Sequence, residues 1–326
     1  MKKGFGIVVL VVAIAIACVA SVAFGTRVVP WGETVEALRH GLAGDGLPQL
    51  YDNRLTRTVL GLIVGLAIGA AGALTQGHTR NPLADPGLLG INAGAACAVV
   101  TGAFVFGAPG ALVNTILALI GALVAAAAVF GLSSVTGSSP LTLVLAGAGL
   151  TAALTAVSSA LILIDGASLD TWRFWNVGAI RDNPDVLWTA LPFIVAGLGL
   201  AAVGGWFLNL LSLGDDMATA LGGRVGMMRA TGVLGIALLT GAATAACGPI
   251  VFLGLVVPHI ARAFTGPDYR WIVPYSALTG ALLVLVCDVI GRVVARPGEA
   301  QVSVVLALIG GPALMLMVRR RKLPTI

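Results

Sequence analysis

The residue types that could carry chemistry are few and scattered. Lysine occurs only at positions 2, 3 and 322. A nucleotide-cradling GxxxxGK[ST] loop needs a lysine to reach the phosphates, so this chain has no such loop with which to hydrolyse ATP. The three histidines, His40, His78 and His259, lie far apart. Cys18, Cys97, Cys247 and Cys287 all fall in apolar runs without CxxC spacing. That pattern suits buried small side chains better than disulfides or metal ligands. The apolar runs hold no carboxylate pair, and Asp288 stands at the end of one rather than in its middle. A carrier driven by an ion gradient usually places ionisable groups at membrane depth. The inventory therefore argues against an ion-coupled carrier and against a membrane-embedded enzyme. It offers no catalytic residue and no metal site.

What remains is the framework. Of 326 residues, 58% are hydrophobic and 10% charged, against about 25% charged in soluble domains. The 44 glycines are spread without a three-residue period, which excludes collagen. An apolar content this high excludes intrinsic disorder and a water-soluble surface of ordinary composition. Residues 86–164 contain no Asp, Glu, Lys or Arg, enough chain for several spans of about 20 residues each. The runs are apolar throughout, whereas β-barrel strands alternate. The reading is an all-α polytopic membrane protein forming one transmembrane domain over 1–326. About ten spans are predicted, near 5–24, 58–77, 90–106, 111–131, 141–164, 187–211, 230–247, 250–264, 271–290 and 301–318. The eighth is short, and Pro258 predicts a break in it. The first, behind Lys2 and Lys3, reads as an uncleaved span rather than a signal peptide.

Charge sets the orientation. With Lys2 and Lys3 inside and ten spans threaded, the inner side carries eleven basic against four acidic residues, the outer side eight against ten. Both termini are then cytoplasmic, in the cytoplasmic (inner) membrane. The net charge of +5 becomes a topology signal, with no call for nucleic acid as a partner.

Three stretches carry a family resemblance. They are Gly72-Ala-Leu-Thr-Gln76-Gly77, Arg80-Asn-Pro-Leu-Ala-Asp-Pro-Gly-Leu-Leu-Gly90 and Gly248-Pro-Ile-Val-Phe-Leu-Gly-Leu-Val-Val-Pro-His-Ile-Ala-Arg262. With Arg54-Leu-Thr-Arg57 they resemble the FecCD-type permeases, the membrane subunits of iron-siderophore, haem and vitamin B12 ABC importers. Trp172–Trp175 and Leu211–Gly222 are most similar to the ferric-enterobactin branch. The resemblance covers nearly the whole chain. It implies a type II ABC importer permease fold that moves a ferric siderophore inward, with haem or vitamin B12 as the alternative cargo. It also implies separate cytoplasmic ATPase subunits that bind the ATP and Mg, with no cofactor on this chain. A second permease subunit, a heterodimer being favoured over a homodimer, and an extracytoplasmic substrate-binding protein complete the implied assembly.

The resemblance also assigns residues. Arg54, Arg57 and Arg292 would meet acids on the binding protein; alternatively they anchor span ends, and Asp288 and Arg292 are spaced to pair with each other. Asn81, Pro82 and Leu83, with Ser138 and Ser139, would form the cytoplasmic gate, or simply turn the chain. The loop at about 212–229 would dock the ATPase through Asp215, Asp216, Ala220, Leu221, Gly222, Gly223 and Arg224. Its acids come early and its basic residues late, which suits a short helix and its dipole. Thr151, Thr155 and Ser158 share one helical face; they either line the path or let helices pack closely. Trp172, Phe174 and Trp175 read as an interfacial aromatic belt or as a contact for an aromatic cargo. His259 reads as structural.

Overall fold

The computed structural model describes residues 3–26, 32, 47–107, 110–135, 140–180 and 183–319. Ser138 and Ser139 lie outside them. Twelve α-helices and one 3-10 turn make up the described residues, with no strand among them. In order they are α1 (Lys3–Ala23), α2 (Leu47–Thr79), the 3-10 turn Pro86–Leu89, α3 (Ile91–Phe106), α4 (Ala111–Val135), α5 (Pro140–Ile164), α6 (Gly166–Trp175), α7 (Pro184–Leu211), α8 (Asp215–Ala220), α9 (Val225–Cys247), α10 (Leu253–Thr265), α11 (Tyr269–Val294) and α12 (Val302–Arg319). Seven are long and apolar enough to cross a membrane, and α3, α10 and the first part of α12 are shorter apolar helices. Together they occupy the ten predicted spans. The turn at Pro86–Leu89, α6 and α8 are additional.

Helix ends follow local chemistry. The Asn183 side chain accepts the Asp185 N–H ahead of Pro184 at the start of α7. The Asp165 carboxylate caps α6 through the Ser168 N–H, and the Ser168 hydroxyl together with that N–H holds its pKa below the usual carboxylate range. Asp268 caps α11, and left-handed Gly107 closes α3. Such caps satisfy backbone groups a helix end leaves unpaired.

The core is built around α2. It packs most extensively on α11 and then on α9, α7 and α10, and Leu60, Val64, Ala67, Ala70, Ala71 and Leu74 are fully buried. Close approach needs small residues, because lipid supplies no hydrophobic drive between helices. A Cβ at Gly69 would collide with the Ser276 backbone on α11, and one at Gly72 with the Gly254 backbone on α10. α5 and α1 are the most exposed spans.

The predicted break at Pro258 does not occur. α10 continues through it. A proline inside a helix leaves the carbonyl four residues earlier without its donor, here that of Gly254. Gln76 from α2 supplies one: its Nε2 donates to the Leu255 carbonyl at 3.1 Å and reaches the Gly254 carbonyl at 3.5 Å. The irregular stretch comes earlier. Residues 248–252 form no helix, and Phe252 is left-handed at φ 69°. Gly178 packs against the Pro249 carbonyl. Non-helical backbone at membrane depth is tolerated where protein surrounds it.

Candidate functional site

Charged side chains gather at the two ends of the bundle. At one end, Asp288 of α11 sits between two arginines. Arg57 of α2 donates to its Oδ1 at 2.8 Å, and Arg292 to its Oδ2 at 2.8 Å. Arg57 also reaches Glu299 at 2.7 Å. Asp288 and Arg292 side chains are each 3% exposed and Arg57 is 14% exposed.

The arginines here hold α1 as well. Arg292 donates to the Ser21 carbonyl and hydroxyl at 3.0 and 2.8 Å. Arg54, 6% exposed, donates to the Val22 and Ala23 carbonyls at 2.9 and 3.1 Å. Arg296 donates to the Gly25 carbonyl. The Ser21, Val22 and Ala23 carbonyls are the last of α1, which lack partners within the helix, and Gly25 lies just past it; a cation is favoured there by the helix dipole. Ser21 and Thr58 hydroxyls close the network at 2.7 Å. The structure thus places Arg54 and Arg292 inside the protein and leaves Arg57 and Arg296 nearer the surface. The i,i+4 pair that the spacing allowed is formed.

At the other end, Asp215 at the start of α8 also takes two arginines. Arg80, just past α2, reaches Oδ1 at 3.1 Å, and Arg229 of α9 reaches Oδ2 at 2.7 Å. Arg80 also donates to the Leu211 carbonyl at 2.9 Å. Asp215 is 42% exposed and Arg80 43%. Left-handed Gly214 and Gly222 bracket the helix. Ala218 is buried, and its carbonyl accepts the Gly223 N–H at 2.8 Å. Asp216, Ala220, Leu221, Gly222 and Arg224 face outward. Leu213, Met217, Leu221 and Met227 are all more than half exposed.

Next to Arg80 comes the turn with Asn81, Pro82 and Leu83. The Asn81 side chain accepts the Leu83 N–H at 2.9 Å, and its carbonyl accepts the Ala84 N–H at 3.1 Å. Leu83 is exposed. Asp85 accepts the Gly87 N–H at 2.8 Å and, with Pro86, packs on Gly254 in the first turn of α10. Burial pushes its carboxyl up to about 6 against that hydrogen bond. Deeper in, Arg262 of α10 donates to Gln76 Oε1 at 2.7 Å and lies beside Tyr269. The GALTQG and GLVVPHIAR stretches are therefore one contact. His259 bonds the Leu255 carbonyl. Asp268 is held well below the usual carboxylate range by Arg270 and Asn209.

The stripe on α5 divides. Thr155 is exposed, Thr151 is half-buried with no partner for its hydroxyl among the described residues, and Ser158 is buried and donates to the Leu154 carbonyl. Trp175 lines a cavity of about 170 Å³ with Asn114, Thr115, Thr171 and Asn183; the Phe174 side chain is outside the described residues. Among the described residues no three His, Cys, Asp or Glu side chains come together as a metal site would need.

Sequence reasoning missed Glu299 as a partner of Arg57, the two arginines on Asp215, and the Gln76–Arg262 bond. One signal was available. The charge count placed Arg80, Asp215 and Arg229 on the same side of the membrane.

A bundle of apolar spans, with charge gathered mainly at its two ends, defines a multi-pass membrane protein. Comparison with known proteins makes this specific. The chain belongs to the FecCD transport family, whose model matches residues 12–320. It is 43% identical over 316 residues to the ferric enterobactin transport system permease protein FepD of Escherichia coli (strain K12), covering 96% of this chain and 94% of that one. It is 37% identical over 275 residues to the hemin transport system permease protein HmuU of Yersinia pestis, covering 82% of each. A metal-chelate type ABC transporter solved in an inward-facing conformation superposes with a TM-score of 0.84 at 26% identity, over 98% of both chains.

Proposed function

We propose that this chain is the membrane-spanning subunit of an ABC importer that carries a ferric siderophore inward across the cytoplasmic membrane. The observation that carries the coupling part is α8. It stands outside the spans, presents exposed apolar side chains, and is tied through Asp215 to Arg80 at the end of α2. A separate cytoplasmic ATPase, holding ATP and Mg, docks on Leu213, Met217, Leu221 and the neighbouring Asp216, Ala220, Gly222, Gly223 and Arg224. Movement of α8 passes through Arg80 to the Asn81-Pro82-Leu83 turn, which opens toward the cytoplasm. Both termini lie on that side.

The arginine-rich end faces outward and meets a substrate-binding protein through Arg57 and Arg296. Arg54 and Arg292 support this surface from beneath, by fixing α1 and Asp288. Thr155 faces the path. A second, sequence-distinct permease completes the path along the exposed side of α5. Similarity to the ferric enterobactin permease FepD over nearly the full length supports ferric enterobactin as cargo.

The test has two parts. A gentle membrane extraction with this chain tagged, followed by mass spectrometry, is expected to recover an ATPase with a phosphate-binding lysine and a second permease. Recovery of no ATPase from a functional preparation removes the importer reading. Radiolabelled iron uptake is then expected for ferric enterobactin and absent in a deletion strain. Uptake of haem or cobalamin in its place transfers the reading to those cargoes, and an ATPase recovered without a second permease favours a homodimer.

A further inference from the structure

A groove of about 250 Å³ opens between α1, α10 and α11, lined by Gly6, Val9, Leu10, Ile260, Phe264 and Leu282, with Lys3 and Tyr275 also on its wall. It lies at the same end of the bundle as α8. Lys3 begins α1, and α11 begins at Tyr269, two residues before Trp271. The lining is overwhelmingly aliphatic and aromatic, and Phe264 is exposed. Lys3 is fixed at this end. The Tyr275 hydroxyl donates to its carbonyl, and its ammonium lies 5.7 Å from the centroid of the Trp271 ring. Among the described residues no carboxylate lies within ion-pair reach of Lys3. The neighbouring Arg270 is already paired with Asp268.

A tryptophan and a lysine at the end of membrane-spanning helices mark the headgroup level. An apolar groove that runs from that level into the bundle fits a chain, and an unpaired ammonium at its mouth fits an anion. Basic pockets between spanning helices bind anionic lipid headgroups for this reason. We propose that this groove is a binding site for an anionic phospholipid. One acyl chain lies between α1 and α10 against Val9, Leu10, Ile260 and Phe264, and the phosphate is held by Lys3. The lipid would fill the seam along which α1, a thinly packed span, meets the rest of the bundle.

Native mass spectrometry of the purified permease, with whatever subunits accompany it, tests this with two lipids of identical chains. Phosphatidylglycerol is expected to be retained about fivefold over phosphatidylcholine, the size of effect one basic group gives near a membrane surface. Lys3→Gln should bring the two lipids to parity and Lys3→Arg should preserve the difference. Val9→Trp, which fills the groove from an exposed position, should lower retention of both; elution volume in detergent shows that each variant remains folded. Equal retention of the two lipids by the unaltered protein overturns the proposal. So does retention unchanged by both Lys3→Gln and Val9→Trp, or the same stabilisation by inorganic phosphate alone.

Discussion

Asp288 and Asp215 are built alike and placed oppositely. Each is one carboxylate between two arginines from different parts of the chain, at distances of 2.7 to 3.1 Å. Asp288 is almost fully enclosed, and one of its arginines goes on to bond the end of α1. Asp215 stands in the open at the start of a six-residue helix. The difference in burial changes what the same grouping does. An enclosed pair is strongly destabilised when one partner is lost, because the other charge remains out of water. An exposed pair contributes about 0–1 kcal/mol and is screened by salt. One end of the molecule is thus clamped, and the other is held by links that can be remade at little cost.

The largest effect expected from this contrast is at Asp288. Asp288→Ala leaves Arg292 enclosed without its acid, while Arg57 keeps Glu299, and should cost about 3–5 kcal/mol, read as a lowered melting temperature of the detergent-purified protein. A loss no greater than that of Asp215→Ala would erase the distinction between the ends.

Asp85 comes next. Its carboxyl is raised from 3.8 to about 6 in the folded protein, so the folded state holds the proton more tightly than the unfolded state does. Stability should therefore fall as pH rises from about 4 to about 6 and then level, by at most about 3 kcal/mol. Asp85→Asn should flatten that part of the melting profile, and a profile unchanged by the substitution would show the carboxyl to be well solvated.

Gln76→Ala should cost about 1–3 kcal/mol, since Arg262 and the Leu255 carbonyl lose a buried partner; chemical denaturation of wild type and variant in parallel would show it. The smallest stability effect is at the open end. Arg80→Ala and Asp215→Ala should each change stability by less than about 1 kcal/mol, yet lower iron uptake several-fold. Melting temperature and uptake measured on the same preparations separate the two, and normal uptake in both variants would detach α8 from the transport cycle.

The spans were legible because charge-free runs and glycine–proline breaks bracket them, and the structure moves their limits by a few residues except at the start of α2, which begins eleven residues earlier than predicted, at Leu47. α8 was legible too, through its early acids. What stayed hidden depends on contacts distant in sequence. Pro258 signals a break on local grounds, and nothing near it announces that Gln76 will reach the carbonyl it frees and the one beside it. Arg54 and Arg292 were read as sharing one end of the bundle, where the structure has them together, but their partners include backbone carbonyls of α1, and a carbonyl has no sequence signature. α6 escaped as a helix because its ten residues are mixed in polarity and lie between two spans. The stripe of Thr151, Thr155 and Ser158 follows helical spacing, yet the helix turns those three side chains into different surroundings.

The clasp on α1 bears on how the protein is made. The helices that hold α1 all leave the ribosome after it: Arg54 and Thr58 of α2 follow 31 to 37 positions later, and Tyr275 and Arg292 of α11 about 270 positions later. Until α2 follows, it must reside in the bilayer on its own apolar character, and its mean hydropathy of 3.0 is the highest among the spans, as independent insertion requires. Docking of α1 thus begins on α2 and is completed only once α11 is in the membrane.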